Sequence, residues 1–292
     1  MVIKISKPWL ASKALSCSES MSRIQSIAEL AKQNNAKLLI PYVVAGDPNI
    51  PTTLSLMHEL VAQGADIIEL GIPFSDPSSD GLVIQQGVER ALVKKTSLTD
   101  IFELISAFRR QNLHTPIVLM GYLNPIEIMG YEKFAKGLAN VGVDGVLIVD
   151  MPPTESGELS GLLAERNIDL IFLVAPTTSA ARCIEIVQCT TGYLYYVSLK
   201  GVTGAELTDF DSVTKNIAEL RNLSDLPIVI GFGIKDADSA RAMGELSDGI
   251  VIGSALVLKV SELADQESHE ESQISQTCEV IGLARQALNE IS

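Results

Sequence analysis

Histidine is scarce in this chain. Its 292 residues hold three, His58, His114 and His269. The pattern places His58 on a helix, His114 just ahead of a strand and His269 in an acidic loop. None falls where a base or metal ligand belongs, which argues against a zinc or two-metal hydrolase and leaves proton transfer to carboxylates. Basic charge is short as well. The formal net charge is −14, and no cluster of Lys or Arg is longer than a pair. Nucleic-acid binders meet phosphates with basic stripes, so this class is excluded. A phosphate ligand is still compatible, provided that backbone amides hold it.

Cysteine is equally sparing: Cys17, Cys183, Cys189 and Cys278, with no Cys-x-x-Cys pair. Cys183 and Cys189 are six apart on a predicted helix and do not face each other. This is the pattern of a reducing, cytoplasmic compartment without a disulfide framework. No apolar run approaches the length of a membrane span. Residues 1–20 carry Lys4, Lys7 and Lys13 among serines, with no continuous apolar core before a small-residue cleavage site. A signal peptide is therefore not predicted. The segment is expected to be a disordered extension or a stretch ahead of a start at Met21, with a transit-like leader as the lesser alternative. Residues 21–292 are expected to form one folded domain.

What the chain does have is a regular alternation. A helical pattern from Ser22 to about Gln33 puts Ile24, Ile27, Leu30 and Ala31 on one face. Then apolar runs recur near residues 37–47, 66–70, 116–122, 145–150, 170–175, 193–198, 227–233 and 249–253, nearly all separated by a helical stretch. Pro51 suits a first helical turn, Ser97 with Asp100 reads as a capping box, and Ser179 reads as a cap. The runs are continuous rather than alternating, as in a parallel sheet covered on both faces. Eight such units predict an α/β fold, a single (β/α)8 TIM barrel with an extra N-terminal helix. A doubly wound open sheet is the structural alternative. The acidic, Ser-rich stretch Ser261 to Ser275 is expected to be a solvated loop.

In such a barrel the active site lies beyond the C-terminal ends of the strands. The second run leads into Glu69, flanked by Ile67, Ile68 and Leu70, then into a turn-rich loop carrying Asp76 and Asp80. Partial burial would raise the Glu69 pKa toward a useful value, making it the first candidate for acid–base work. Asp76 and Asp80 also have a plain reading as turn residues. Tyr122 and Asn124 follow the third run, and Asp150 follows the fourth as a loop-ordering residue. Glycines follow the last three: the Ser198–Gly204 segment, Gly231-Phe232-Gly233 and Gly253-Ser254. Barrels frequently bind phosphate at the loops after strands seven and eight. Lys200 lies past a strand in a Gly-flanked loop, which reads as an exposed cation, although a lysine there could form a Schiff base.

Ile68-Glu-Leu-Gly-Ile-Pro-Phe-Ser-Asp-Pro77 followed by Asp80-Gly81 closely resembles the signature of the tryptophan synthase alpha subunit family. The resemblance extends to Pro41–Pro48, Met120–Pro125, Gly142–Leu147, Ser198–Glu206, Gly231–Ile234 and Gly253–Ala255, in order from about Met21 to Val260. It implies a retro-aldol lyase that cleaves indole-3-glycerol phosphate to indole and glyceraldehyde 3-phosphate, without cofactor or metal. The family's catalytic glutamate falls on Glu69 and its indole-anchoring aspartate on Asp80. Thr203 would close a lid and orient that aspartate. The phosphate would rest on Gly204, Gly231, Gly233, Gly253 and Ser254, with Phe232 beside it, and Tyr42, Tyr122 and Tyr195 would surround the substrate. The resemblance further implies a beta subunit partner that carries pyridoxal phosphate, joined in an alpha2-beta2 complex through Pro73–Asp80 and Asn124-Pro125.

The chain departs from the family at Ser78-Ser79, where a larger apolar residue and Ala are usual, and at Leu82, where Pro is usual. Those changes bear on loop rigidity and partner coupling, since Asp80 is retained. Three rivals stay open at this point: a sugar-phosphate isomerase on a similar barrel, a Schiff-base aldolase using Lys200, and a mainly regulatory alpha-type subunit.

Overall fold

The apolar runs become strands because both of their faces are buried. The computed structural model describes residues 21–197, 210–231, 233–264 and 269–291. Its strands are β1 (Leu38–Val44), β2 (Ile68–Gly71), β3 (Ile117–Gly121), β4 (Gly145–Ile148), β5 (Asp169–Ile171), β6 (Leu173–Val174), β7 (Leu194–Val197), β8 (Ile228–Gly231) and β9 (Gly249–Ile252). They form one nine-stranded sheet in the order β5-β4-β3-β2-β1-β9-β8-β7-β6, and every paired neighbour is parallel.

The expected single strand from Leu170 to Ala175 is divided at Phe172. Its first half pairs with β4 and its second half with β7. The carbonyls of Leu170 and Phe172 accept the N–H groups of Thr191 and Tyr195 at 2.9 and 3.3 Å. One run thus faces partners on both sides and closes the ring, so β5 and β6 share a single position in a (β/α)8 barrel. The stagger required for closure offsets the two pairings along the run.

Period-two alternation divides the apolar residues into two cores. Leu38, Ile40, Tyr42, Ile67, Val118, Leu147, Ile171, Tyr193, Tyr195, Val229 and Val251 pack together inside the barrel. Leu39, Val43, Ile68, Leu70, Leu119, Val146, Leu194, Ile230 and Ile250 pack outward against the helices. Glu69 has the inward parity of Ile67.

The helices are α1 (Arg23–Gln33), α2 (Ile50–Ala62), α3 (Leu82–Val93), α4 (Leu98–Arg109), α5 (Leu123–Met129), α6 (Tyr131–Val141), α7 (Gly157–Ala164), α8 (Ala180–Cys189), α9 (Phe210–Leu223), α10 (Ala237–Leu246), α11 (Ser254–Ser261) and α12 (Glu271–Asn289). Ser22 and Ser97 start α1 and α4 with capping boxes, and Ser179 caps α8. The extra helix α1 closes the N-terminal end of the barrel. Ile24 is fully buried against Gly145, and Ser22 Oγ donates to Asp169 at 2.8 Å. Leu30 does not join that face: it is 53 % exposed, and Ile27, Ala28 and Ala31 pack inward instead. The 261–275 stretch is also less loop-like than expected, because α11 runs to Ser261 and α12 begins at Glu271. Residues 1–20 lie outside the described residues.

Candidate active site

Glu69 is held by β2 between β1 and β3, in register with Tyr42 and Val118. Its side chain is fully buried in the barrel interior. Tyr193 donates its hydroxyl to Glu69 Oε1 at 2.6 Å, and Oε2 has no hydrogen-bond partner among the described residues. Burial pushes the Glu69 pKa up to about 7, and the Tyr193 hydrogen bond opposes the rise. The group therefore exchanges its proton near neutrality, as an acid–base residue must.

Asp80 sits at the end of the loop after β2, just before α3. Turn bonds shape this loop: Ser78 N–H to the Asp76 carbonyl at 2.8 Å, and Asp80 N–H to the Pro77 carbonyl at 3.1 Å. Tyr122, which directly follows β3, ties the loop down. Its hydroxyl accepts the Ser79 N–H at 3.0 Å and donates to Asp80 Oδ2 at 3.1 Å. Burial pushes Asp80 up to about 6, against the pull of that hydrogen bond. Burial and the Asp80 charge in turn push Tyr122 to about 12, so it stays a donor. Asp76 points elsewhere: it is exposed and accepts from Ser75 Oγ at 2.6 Å.

Tyr42 and Tyr195 complete the chamber. Each ring lies across a glycine of the neighbouring strand. A Cβ at Gly71 would meet the Tyr42 hydroxyl at 2.2 Å, and one at Gly231 would meet the Tyr195 hydroxyl at 2.1 Å. Burial, and then the charges of both Glu69 and Asp80, raise the pKa of Tyr42 and Tyr195. Four of the expected residues thus share one electrostatic environment. Beside Tyr42, Gly253 opens α11 without any side-chain cap, which leaves the first-turn N–H groups of Ser254 and its successors available to an anion. Gly233 adopts φ +78°, a conformation that L side chains rarely take. Thr203, Gly204, Phe232 and Lys200 lie outside the described residues.

Two carboxylates near the site serve the scaffold. Asp47 is buried and pairs with Arg90 through two hydrogen bonds of 2.7 and 2.8 Å. Asp150 accepts the Leu123 N–H at 2.8 Å and orders the start of α5. Tyr193, the hydrogen-bond partner of Glu69, is the residue of the chamber that the sequence reading left out. Its signal was available: it shares the inward parity of Tyr195, two residues on. His58 and His114 stay away from the chamber, His58 stacked on Phe108 with ring centroids 4.8 Å apart and His114 exposed. Among the described residues, no group of three or more His, Cys, Asp or Glu is placed to hold a metal ion.

A closed parallel barrel with two carboxyls of near-neutral pKa at one end defines an acid–base enzyme of the (β/α)8 class. A family model described as tryptophan synthase alpha chain matches residues 28–286. The chain is 53 % identical over 242 residues to the tryptophan synthase alpha chain of Thioalkalivibrio sulfidiphilus, covering 83 % of this chain and 91 % of that protein. It is 48 % identical over 269 residues to that of Methylococcus capsulatus, covering 92 % and 100 %. The crystal structure of tryptophan synthase subunit alpha from Legionella pneumophila str. Paris superposes with a TM-score of 0.84 at 38 % identity, covering 93 % of this chain and 100 % of that one. The chain belongs to the tryptophan synthase alpha chain family. It is a lyase of tryptophan biosynthesis that acts on indole-3-glycerol phosphate in the alpha reaction.

Proposed function

We propose that Glu69 and Asp80 carry this reaction and that the tyrosines and glycines around them hold the substrate. The observation that supports this most is the burial of Glu69 with the Tyr193 hydroxyl bonded to it, its pKa raised to about 7. Glu69 in its acid form gives a proton to C3 of the indole ring. The bond from C3 to the glycerol chain then breaks, and its electron pair returns to the ring. The glycerol hydroxyl becomes the aldehyde, and its proton restores the Glu69 acid. Asp80 accepts a hydrogen bond from the indole N–H and stabilises the positive charge that the protonated ring carries. Its hydrogen bond from Tyr122 aims it.

In this reading Tyr42, Tyr122 and Tyr195 surround the indole and glycerol portions. Gly231, Gly233, Gly253 and Ser254 receive the phosphate, with the uncapped start of α11 supplying N–H donors. Gly204, Phe232 and Thr203 join them by family resemblance. The steps use no cofactor, and pyridoxal phosphate belongs to the beta subunit in an alpha2-beta2 complex. The face toward that partner comprises Pro73–Asp80 and Asn124-Pro125, flanked by Leu82 and Ile128, which are 67 % and 80 % exposed. Such a biosynthetic enzyme, with free thiols at Cys183, Cys189 and Cys278, works in the cytoplasm.

Indole release from indole-3-glycerol phosphate, with and without added beta subunit, tests this reading. Glu69→Gln is expected to release no indole above background in either case while keeping the fold. Near-normal turnover by that variant would remove Glu69 from the mechanism.

A further inference from the structure

A carboxyl that both takes and gives a proton has two oxygens to use. The barrel treats those of Glu69 differently. Tyr193 approaches from the opposite wall, 124 residues further along the chain, and gives its hydroxyl proton to Oε1 at 2.6 Å. Both side chains are fully buried. Oε2 is buried too and meets no hydrogen-bond donor among the described residues. A buried acceptor without a partner costs free energy, so its retention calls for a reason beyond structure. No guanidinium or ammonium among the described residues pairs with Glu69. The groups that feel its charge are the hydroxyls of Tyr193, Tyr195 and Tyr42, all held protonated by burial first; the Glu69 charge comes next for Tyr193 and Tyr195 and follows that of Asp80 for Tyr42. Tyr193 is therefore a fixed donor. With Oε1 occupied as an acceptor, the proton of the neutral acid resides on Oε2.

We infer that Tyr193 is a positioning residue: its hydrogen bond commits Oε1, makes Oε2 the one oxygen through which Glu69 exchanges its proton, and tunes that exchange by stabilising the carboxylate. This rests on the assignment of Glu69 as the acid–base group. It accounts for the mismatch between the two oxygens, and it keeps the carboxyl from turning over between its two proton transfers. The same oxygen then serves the glycerol hydroxyl and the ring carbon, which lie side by side in the substrate.

The test is the pH profile of kcat/KM with the beta subunit present. Tyr193→Phe removes the hydroxyl and keeps the ring. The limb governed by Glu69 should move to higher pH by roughly one to two pH units, because a hydrogen bond that favoured the carboxylate is gone. KM should change little. A purely structural role would lower kcat evenly or lower the melting temperature while the limb stayed in place, and that result overturns the inference. A ring-fluorinated tyrosine at 193 covers the case in which the Phe variant folds poorly. Its more acidic hydroxyl should move the limb to lower pH, and an unmoved limb again overturns the inference. Glu69→Gln in the same assays separates the two claims. An active Glu69→Gln removes the underlying assignment, whereas an inactive one with an unmoved Tyr193→Phe limb removes this inference alone.

Discussion

The two ends of the barrel use the same chemical group in opposite ways. At the N-terminal end, Asp66, Asp144 and Asp248 each stand just before a strand. Each accepts a backbone N–H from the neighbouring strand, of Leu39, Ile117 and Ile228 respectively, at 2.8, 2.8 and 2.9 Å. Each also meets a guanidinium: Arg285 for Asp66, Arg109 and Arg23 for Asp144, and Arg221 for Asp248. Burial raises Asp66 and Asp144, but the guanidinium and backbone N–H groups pull both back toward the carboxylate. At the C-terminal end, the side-chain hydrogen bonds that Glu69 and Asp80 accept among the described residues come from tyrosine hydroxyls. The two carboxyls rise to about 7 and about 6. Asp47 shows that the partner decides, not the place: it lies near the site, yet Arg90 makes it a structural clamp. A carboxyl given a cation stitches strands. A carboxyl given a hydroxyl is left with its pKa raised toward neutrality.

The largest expected effect comes from breaking the buried stitch. Asp144→Asn leaves the guanidinium of Arg109, nearly buried and raised against its own desolvation by that carboxylate, without its counter-charge. Loss of one partner of a buried pair costs about 3–5 kcal/mol. Denaturant unfolding should show that loss, while kcat well below the melting temperature stays near its original value. A loss of activity without a loss of stability would blur the division between the two ends.

Next in size is the aim of Asp80. Tyr122→Phe removes a donor to the Asp80 carboxylate and an acceptor for Ser79 N–H. The account expects kcat/KM to fall about tenfold, close to the roughly 1.4 kcal/mol of one good hydrogen bond. The Asp80 limb should move to higher pH, since the lost bond favours the ionised form. An unchanged kcat/KM would show that Tyr122 only shapes the loop. The smallest effect is expected at the half-exposed pair. Arg221 and Asp248 are 46 % and 34 % exposed, so solvent screens them. Asp248→Asn keeps an acceptor for Ile228 N–H and should cost no more than about 1 kcal/mol in denaturant unfolding. A cost equal to that of Asp144→Asn would mean that burial does not set the scale.

Most of the frame could be read from residue order, for identifiable reasons. The helical start at Ser22 and the caps at Ser97 and Ser179 are local signals, and each marks the helix it announced. The strand runs were legible because two buried faces leave no polar alternation. Glu69 stood out as a charge within such a run. What escaped is non-local. Phe172 gives no sign that one apolar run must serve two neighbours. Leu30 fits the helical stripe, but it stays exposed and Ala28 packs beside Ile24, Ile27 and Ala31 in its place. The short helix α5 was hidden because Asn124-Pro125 reads as a loop, although Pro is well suited to a first helical turn. Tyr193 and Glu69 meet only because closure brings β2 and the start of β7 face to face. Residue order and the resemblance together named Glu69, Asp80 and Tyr122, whereas the Tyr193 partner of Glu69 came from the geometry.

The central claim is that the barrel keeps Glu69 buried, with no cation paired to it among the described residues, so that its proton is exchangeable near neutrality. The stability of Glu69→Gln relative to the parent, measured by denaturant unfolding from pH 4 to pH 9, tests it most directly. The carboxyl rises from 4.5 to about 7 on folding, so the native state holds a proton that the unfolded chain releases. Parent stability should therefore fall between about pH 4.5 and pH 7, whereas the glutamine variant lacks this loss. The variant should match the parent near pH 4 and exceed it by about 3 kcal/mol above pH 7. A difference that is flat across this range, or a parent that gains on the variant as pH rises, would contradict the account.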